Sequence, residues 1–281
     1  MGAASRRTHD SGLTSALDAS GLPIPLIAVA LVAASAVLLG TEIPGSAYTL
    51  AAAGSFAIYL LDRAWPFSPE DAANRPERAT WHGDHRWYRF PALILAIGLS
   101  LWALLQLPRA VWLFAAALTV LAGLHAVPLG GRRLKASAWL KPSLVAAAWA
   151  AGAVLIVPFA TGGEITRAVV LLLAVRGLTV AANVVLTDLA DSEGDAAAGL
   201  TSLATRSGER AVRSLASALI IAGAVLCLAQ FVRSGNVLWS VEALGLVLYL
   251  AVVQRRAALP EPIVLDLLVA WPAVTWLVSR L

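Results

Sequence analysis

The chain has 281 residues, of which 59% are hydrophobic and only 14% are charged, and its formal net charge is +4. This composition is typical of an integral membrane protein and argues against an ordinary soluble domain. Because membrane topology also explains the positive charge, as shown below, we predict no nucleic-acid partner.

Along the chain, a polar N-terminal tail (1–21) precedes one transmembrane domain (22–281) built of recurring apolar stretches. Nine stretches are long enough to cross a hydrocarbon core of about 30 Å as helices. They are 22–40, 46–62, 91–107, 110–128, 138–160, 165–187, 211–232, 236–254 and 263–279. The predicted fold class is therefore all-α, a polytopic membrane protein with nine transmembrane helices.

The Lys and Arg residues are distributed unevenly between the two sides that these helices define. Most of the 21 fall in segments on the same side as the N-terminus. Cytoplasmic segments of membrane proteins are enriched in Lys and Arg. We therefore expect a cytoplasmic N-terminus, cytoplasmic loops at 63–90 and 188–210, and insertion in the inner (plasma) membrane of the cell.

The first group of charged residues follows the second apolar stretch. Asp62 and Arg63 end that stretch, and Asp71, Arg75 and Arg78 follow in the loop. Burial of a carboxylate close to lipid is costly, so an acid at the end of a span is a candidate functional group. The alternative is that Asp62 and Arg63 only mark the membrane interface.

A cationic segment lies between the two acidic regions. Lys135 is in the loop after the fourth stretch, and Lys141 is at the start of the fifth. Cations on the side that carries the acids can neutralise phosphate oxygens. Anchoring at the cytoplasmic interface explains part of this charge equally well.

The most informative motif is Asp188-x-x-Asp191-x-x-x-Asp195, directly after the sixth stretch. At about 100° per residue, these offsets place the three carboxylates within roughly a 60° arc of one helical face. Like charges that close repel unless a cation lies between them. Mg²⁺ typically takes one or two carboxylates together with phosphate oxygens, so the motif predicts a Mg²⁺ site. The alternative is a solvated helix end.

Three further charged residues lie within apolar stretches, namely Arg176, Glu242 and Asp266. Each needs a partner or water in that environment. We expect Arg176 to pair with an acid or to reach polar atoms of a cavity. Asp266 is near the inner end of the last stretch, so we expect it at the rim of the same cavity as the aspartate motifs.

With these motifs the chain resembles the UbiA superfamily of intramembrane prenyltransferases. Members typically have nine transmembrane helices and two Asp-rich cytoplasmic motifs, Asn-x-x-x-Asp-x-x-x-Asp after helix two and Asp-x-x-Asp-x-x-x-Asp after helix six. The second motif matches in full. In the first, Asp62 matches, whereas Ile58 and Pro66 occupy the usual Asn and second Asp positions.

The resemblance implies Mg²⁺-dependent transfer of a prenyl group from a polyprenyl diphosphate to a small-molecule acceptor, often aromatic, within the lipid bilayer. The catalytic residues that it implies are Asp62, Asp188 and Asp191. The metal ligands that it implies are Asp62, Asp71, Asp188, Asp191 and Asp195. The cations implied to bind the diphosphate are Arg63, Arg75, Arg78, Lys135 and Lys141.

Other functions are compatible with the sequence. Loss of the usual Asn and Asp at Ile58 and Pro66 favours a catalytically degenerate homologue that binds prenyl lipids. Arg176 and Asp266 are compatible with a membrane transporter, although the chain shows no clear inverted repeat. An alcohol phosphotransferase also uses clustered aspartates, but its Asp-Gly-x-x-Ala-Arg run is absent.

Overall fold

The computed structural model of the protein describes residues 19–64, 80–81, 83–126, 138–197, 202–255 and 260–281. These ranges are helical and contain no β-strand, which confirms the all-α class. The helices are α1 (Pro23–Leu38), α2 (Gly45–Ala64), α3 (Arg86–Leu105), α4 (Arg109–Ala126), α5 (Leu140–Val154), α6 (Ile156–Thr161), α7 (Arg167–Ala190), α8 (Ser192–Ala197), α9 (Leu203–Ser234), α10 (Leu238–Val253), α11 (Pro262–Val269) and α12 (Pro272–Val278).

Each predicted apolar stretch contains at least one helix, and two stretches are broken by proline. The fifth divides into α5 and α6 at Leu155, because Pro158 has no N–H for the carbonyl four residues earlier. The last divides into α11 and α12, and Pro272 begins the second piece for the same reason. Helix α9 starts at Leu203, well before the predicted 211–232, and its first turns are interrupted at Gly208 (φ 78°).

Four helical segments are long and apolar enough to cross a membrane. They are Trp87–Leu105, Leu140–Thr161, Arg167–Ala190 and Leu203–Ser234. Further apolar helices are shorter, among them Pro23–Leu38 and Leu238–Val253. The number of crossings and the orientation stay predictions.

Helix α7 is the central helix of the described structure. It packs against α5, α9 and α11, and its side chains Leu172, Val175 and Leu186 are fully buried. By contrast, α3 exposes most of its large apolar side chains, as expected for a surface in contact with lipid. Residues on α7 are therefore held rigidly between neighbouring helices.

A buried ion pair joins α7 to α10. The guanidinium of Arg176 donates two hydrogen bonds to the Glu242 carboxylate, with Nη1–Oε2 at 2.6 Å and Nη2–Oε1 at 3.1 Å. Both side chains are almost completely buried. This confirms the expectation that Arg176 pairs with an acid, and it gives Glu242 the partner that its position requires.

The short segment before α1 is fixed by two tyrosines. The Tyr59 hydroxyl donates to the Ala19 carbonyl (3.3 Å), and the Tyr88 hydroxyl donates to the Ser20 carbonyl (3.0 Å). Gly21 has φ 72° and lies so close to the Tyr59 ring that a Cβ would be 2.1 Å from it. The end of the predicted polar tail is therefore buried and holds the start of α1 beside α2.

Candidate active site

The best-defined contact among the predicted site residues joins Lys141 to Asp188. Lys141 is in the first turn of α5, and Asp188 is in the last turn of α7. The Lys141 Nζ donates to Asp188 Oδ1 at 2.5 Å, and the aspartate side chain is buried. The two predicted residues thus share one ion pair although 47 positions separate them.

The aspartate motif runs through a helix end. Helix α7 ends at Ala190, Asp191 is its C-terminal cap with φ −93° and ψ 0°, and α8 begins at the next residue. Helical hydrogen bonds nevertheless continue, because the Asp191 N–H donates to Thr187 and the Asp195 N–H donates to Asp191. The three carboxylates stay close enough for Lys141 to interact electrostatically with all of them.

A cavity of about 290 Å³ opens beside this cluster. Its polar end is formed by Lys141, Asp188 and Asp191, and Asp195 is buried outside the wall. The remainder of the wall is largely apolar. Contributing apolar side chains are Ile24, Ile27, Val145, Trp149, Val180 and Val269. Apart from the side chains of Tyr59, Asn183, Thr187 and Asp266, the wall outside this charged group is apolar, so the cavity suits an amphipathic ligand.

The first aspartate motif is described only at its beginning. Asp62 is exposed in the last turn of α2, and Tyr59, one turn earlier, is part of the cavity wall. The backbone of Arg63 continues α2, and its side chain lies outside the described residues. The other predicted site residues that lie wholly outside them are Asp71, Arg75, Arg78 and Lys135.

A second polar group extends from the cavity wall into the helix bundle. Asn183 Nδ2 donates to Asp266 Oδ1 (2.8 Å), and the Tyr249 hydroxyl donates to Asn183 Oδ1 (2.7 Å). Asn183 and Asp266 both line the cavity, which confirms the predicted place of Asp266. Tyr249 is fully buried behind them.

Sequence reasoning missed the role of Tyr249, although a signal was present. Tyr249 is seven residues after Glu242 on α10, and Asn183 is seven residues after Arg176 on α7. Residues seven apart share a helical face. The Arg176–Glu242 and Asn183–Tyr249 contacts therefore lie along the same faces of α7 and α10, with 66 positions between the partners in each pair. Two polar positions at the same spacing on two apolar helices could have indicated this pairing.

Comparison with known proteins identifies the family. The model of the UbiA prenyltransferase family matches residues 88–262, more than half of the chain. The chain belongs to the UbiA prenyltransferase family. The match includes Lys141, the complete second aspartate motif and Tyr249, and it confirms the resemblance that the sequence indicated.

Solved structures support the same UbiA fold. A UbiA homologue from Archaeoglobus fulgidus bound to GPP and Mg²⁺ is 13% identical, with a TM-score of 0.68 over 95% of this chain and 98% of that chain. A structure of digeranylgeranylglyceryl phosphate synthase is 14% identical, with a TM-score of 0.58 over 95% and 97%. No curated protein sequence matches the chain. Family membership and the four long apolar helices together identify an integral membrane protein.

The donor atoms at the polar end fit the magnesium ion implied by the UbiA family. Among the residues that the structure describes, no three His, Cys, Asp or Glu side chains form a group that could hold a metal ion alone. Of the three carboxylates that line the cavity, those of Asp188 and Asp191 are nevertheless only three residues apart at the end of α7. Mg²⁺ needs only one or two carboxylates when phosphate oxygens and water complete its octahedron. This donor set fits a metal that arrives with a phosphorylated ligand.

Proposed function

We propose that the protein transfers a prenyl group from a polyprenyl diphosphate to a small acceptor within the membrane. The observation that carries this proposal is the division of the cavity. Asp188, Asp191 and Lys141 form a charged group that suits a diphosphate with its metal, and most of the remaining wall is apolar. The volume of about 290 Å³ is near the lower end of the range for ligand pockets.

In this proposal, Asp188 and Asp191 hold Mg²⁺ at the cavity, with Asp62, Asp71 and Asp195 as the other proposed ligands. When bound, Mg²⁺ would supply Lewis-acid stabilisation of the diphosphate charge. The cations proposed to bind the diphosphate directly are Arg63, Arg75, Arg78, Lys135 and Lys141. The structures of A. fulgidus UbiA homologues bound to GPP or DMAPP together with Mg²⁺ support this proposal.

The described residues suggest how the chain promotes the reaction. Lys141, which contacts Asp188 here, donates hydrogen bonds to the diphosphate oxygens as their negative charge increases. The bond between the prenyl carbon and the diphosphate oxygen breaks, and an allylic carbocation forms. Apolar walls at Ile27, Val145 and Val180 exclude water that would capture this cation. Trp149 is in the same wall, and an aromatic ring there would stabilise positive charge.

We further propose that residues 22–281 form one domain with nine membrane crossings, a cytoplasmic N-terminus and a location in the plasma membrane. The charged end of the cavity would then face the cytoplasm. The positive-inside distribution of Lys and Arg supports this orientation.

A second function, binding of prenyl diphosphates without catalysis, is supported by two residues of the first aspartate motif. Ile58 is an exposed apolar residue where the family motif has Asn, and Pro66 replaces the second Asp. These substitutions favour a homologue that binds prenyl diphosphates without transferring the prenyl group. No observation in the described residues favours a transporter or an alcohol phosphotransferase.

Diphosphate release tests the proposal. Purified protein in lipid nanodiscs is incubated with geranyl, geranylgeranyl or longer prenyl diphosphates and a pool of hydroxylated aromatic acceptors, with and without Mg²⁺. We expect Mg²⁺-dependent release that Asp188→Ala and Asp191→Ala abolish. Glu164→Ala is the control, because Glu164 is an exposed acid in the connection that precedes α7, far from Asp188 along the helix. Mg²⁺-dependent binding without release would favour the binding homologue. Absence of both binding and release would contradict the transferase and the binding homologue alike.

A further inference from the structure

The wall of the cavity runs the same distance along α5 and along α7. On α5 it extends from Lys141 to Trp149, and on α7 it extends from Asp188 back to Val180. The ion pair between Lys141 and Asp188 places the two starting points side by side. Each interval is eight residues, which is about 12 Å along a helix axis. The described wall therefore continues for about 12 Å from this ion pair into the helix bundle.

The deep end of the cavity is formed by large apolar side chains from four helices. They are Ile27 on α1, Trp149 on α5, Val180 on α7 and Val269 on α11. Ile27, Val180 and Val269 belong to one hydrophobic core, and Trp149 packs against it. This end of the cavity therefore suits the end of a hydrocarbon chain.

Beyond this deep end, the described helices pack directly against one another. One turn further on, Leu31 of α1 and Ala153 of α5 are only 1% and 4% exposed. Between α7 and α5, a Cβ added at Gly177 would be 3.8 Å from the Cβ of Ala150, which is ordinary van der Waals contact. A chain that reached further would have to push these backbones apart, and well-packed cores resist such insertion.

A buried ion pair adds a second barrier one turn deeper on α7. Arg176 is four residues before Val180, and its guanidinium is paired with the Glu242 carboxylate. Hydrocarbon that advanced past Val180 would have to pack against these charges or separate them. Separation of a buried pair is strongly destabilising, because each charge is then left without compensation. The ion pair therefore helps to close the cavity at this depth.

We propose that the cavity selects a prenyl donor of two isoprene units, and that Trp149 and Val180 set this limit. The proposal rests on the proposed function and adds the length class of the donor. An isoprene unit adds four carbon–carbon bonds to the chain, which is about 5 Å in extended form at about 1.5 Å per bond. Two units of about 10 Å fit a depth of about 12 Å, whereas three units of about 15 Å do not.

Binding of uncleavable donors of different length tests this limit without requiring the acceptor. Protein in nanodiscs with Mg²⁺ is loaded with radiolabelled geranyl S-thiolodiphosphate, whose bridging sulfur resists cleavage. The dimethylallyl, farnesyl and geranylgeranyl analogues are then added as competitors. Their concentrations are expressed as those measured in the bilayer of protein-free nanodiscs, which removes differences in partitioning. We expect the affinity for the geranyl analogue to exceed that for the farnesyl analogue at least ten-fold, because a third unit would overpack the deep end.

Trp149→Ala should lengthen the cavity, because it removes the largest side chain at the deep end. We expect the ratio of farnesyl to geranyl affinity to rise at least ten-fold. The matched control is Trp102→Ala on α3, because Trp102 is 55% exposed and is not part of the cavity wall. The control variant should keep the wild-type ratio.

Val180→Phe tests the same limit in the opposite direction and remains informative if Trp149→Ala does not fold. The larger side chain should shorten the cavity at its α7 wall. We expect the affinity for the geranyl analogue to fall several-fold and the affinity for the dimethylallyl analogue to stay unchanged, because one isoprene unit does not reach Val180.

Wild-type protein that binds the farnesyl or geranylgeranyl analogue as tightly as the geranyl analogue overturns the limit, because the chain would then leave the cavity toward lipid. Unchanged affinity ratios in the folded variants overturn it as well. Failure of the proposed function appears differently. It would be seen as absence of Mg²⁺-dependent binding of all four analogues and of diphosphate release, and this result would overturn both proposals.

Discussion

Helix α7 carries two ion pairs that differ in the number of contacts and in the exposure of the cation. Asp188, at its end, has a side chain that is 5% exposed and makes one contact of 2.5 Å with Lys141, whose side chain is 33% exposed. Arg176, twelve residues earlier and about 18 Å along the axis, makes two contacts with Glu242, and both side chains are only 3% exposed. One pair borders a cavity, and the other is enclosed between helices.

This difference indicates that the Arg176–Glu242 pair stabilises the fold, whereas Lys141 can exchange Asp188 for another partner. The Arg176–Glu242 pair is bidentate and closed to solvent, so neither charge can leave without remaining unpaired in an apolar environment. Lys141 uses one hydrogen bond on Asp188 and can reach water or a ligand in the cavity. We therefore expect substitutions at the first pair to change stability and substitutions at the second to change substrate binding.

The largest effect is expected when one partner of the enclosed pair is removed. Glu242→Leu leaves the Arg176 guanidinium buried without a counter-charge, which should lower the free energy of unfolding by about 3–5 kcal/mol. The measurement is thermal or denaturant unfolding in a defined detergent. Diphosphate release per folded molecule, measured below the unfolding temperature, should change little.

Removal of both charges is the control for that substitution. Arg176→Met combined with Glu242→Leu replaces the pair by apolar side chains of similar length, which is often neutral for stability. We expect the double variant to regain most of the lost stability. Equal loss in the single and double variants would contradict the view that the unpaired charge is the cause.

An intermediate effect is expected at the pair that borders the cavity. Lys141→Met removes a cation proposed to bind the diphosphate, and hydrogen bonds to charged groups contribute about 1.5–3 kcal/mol, so the KM for the prenyl diphosphate should rise roughly ten- to a hundred-fold. The unfolding temperature should change much less than in Glu242→Leu, because Asp188, although buried, lines the cavity, where water can bind its carboxylate.

Arg167→Met is the matched control for Lys141→Met, since Arg167 is an exposed cation at the opposite end of α7. Its KM should equal that of the wild-type protein. A large loss of stability with unchanged KM in Lys141→Met would reverse the assignment of the two pairs.

The smallest effect is expected at the neutral contact between Tyr249 and Asn183, which joins the same two helices as the Arg176–Glu242 pair. Tyr249→Phe removes the hydroxyl that donates to Asn183 and leaves the rest of the buried ring in place. A hydrogen bond between neutral groups contributes about 1 kcal/mol, so the unfolding temperature should fall only slightly. A loss as large as that of Glu242→Leu would show that the charge is not what distinguishes the two contacts.

Much of the fold followed from local properties of the sequence. All nine apolar stretches contain helices, because length and hydrophobicity along the chain favour helix formation. Helix ends were less predictable. The start of α9 at Leu203 and the cap at Asp191 depend on side-chain hydrogen bonds and backbone angles that hydropathy does not report. The burial of Ala19 and Ser20 depends on tyrosines in α2 and α3.

The candidate site was predictable to a different degree at each residue. Asp188, Asp191 and Lys141 were predicted as site residues, and the structure brings them to one end of a cavity. Asp62 was predicted too and lies exposed in the last turn of α2, one turn beyond the wall residue Tyr59. Their roles in metal and diphosphate binding stay predictions. Tyr249 was not predicted, because its polar partner is on a helix that precedes it by 66 positions.

The membrane composition, the helical segments and the aspartate motif that marks the family can all be read from the sequence, since each depends on residues close together in the chain. Which polar groups meet depends on the tertiary structure. Lys141 pairs with Asp188 across 47 positions, Arg176 with Glu242 across 66, and Asn183 with Asp266 across 83. These pairings depend on how α5, α7, α10 and α11 pack. That packing sets the distance between atoms on different helices, which spacing along one helix does not specify.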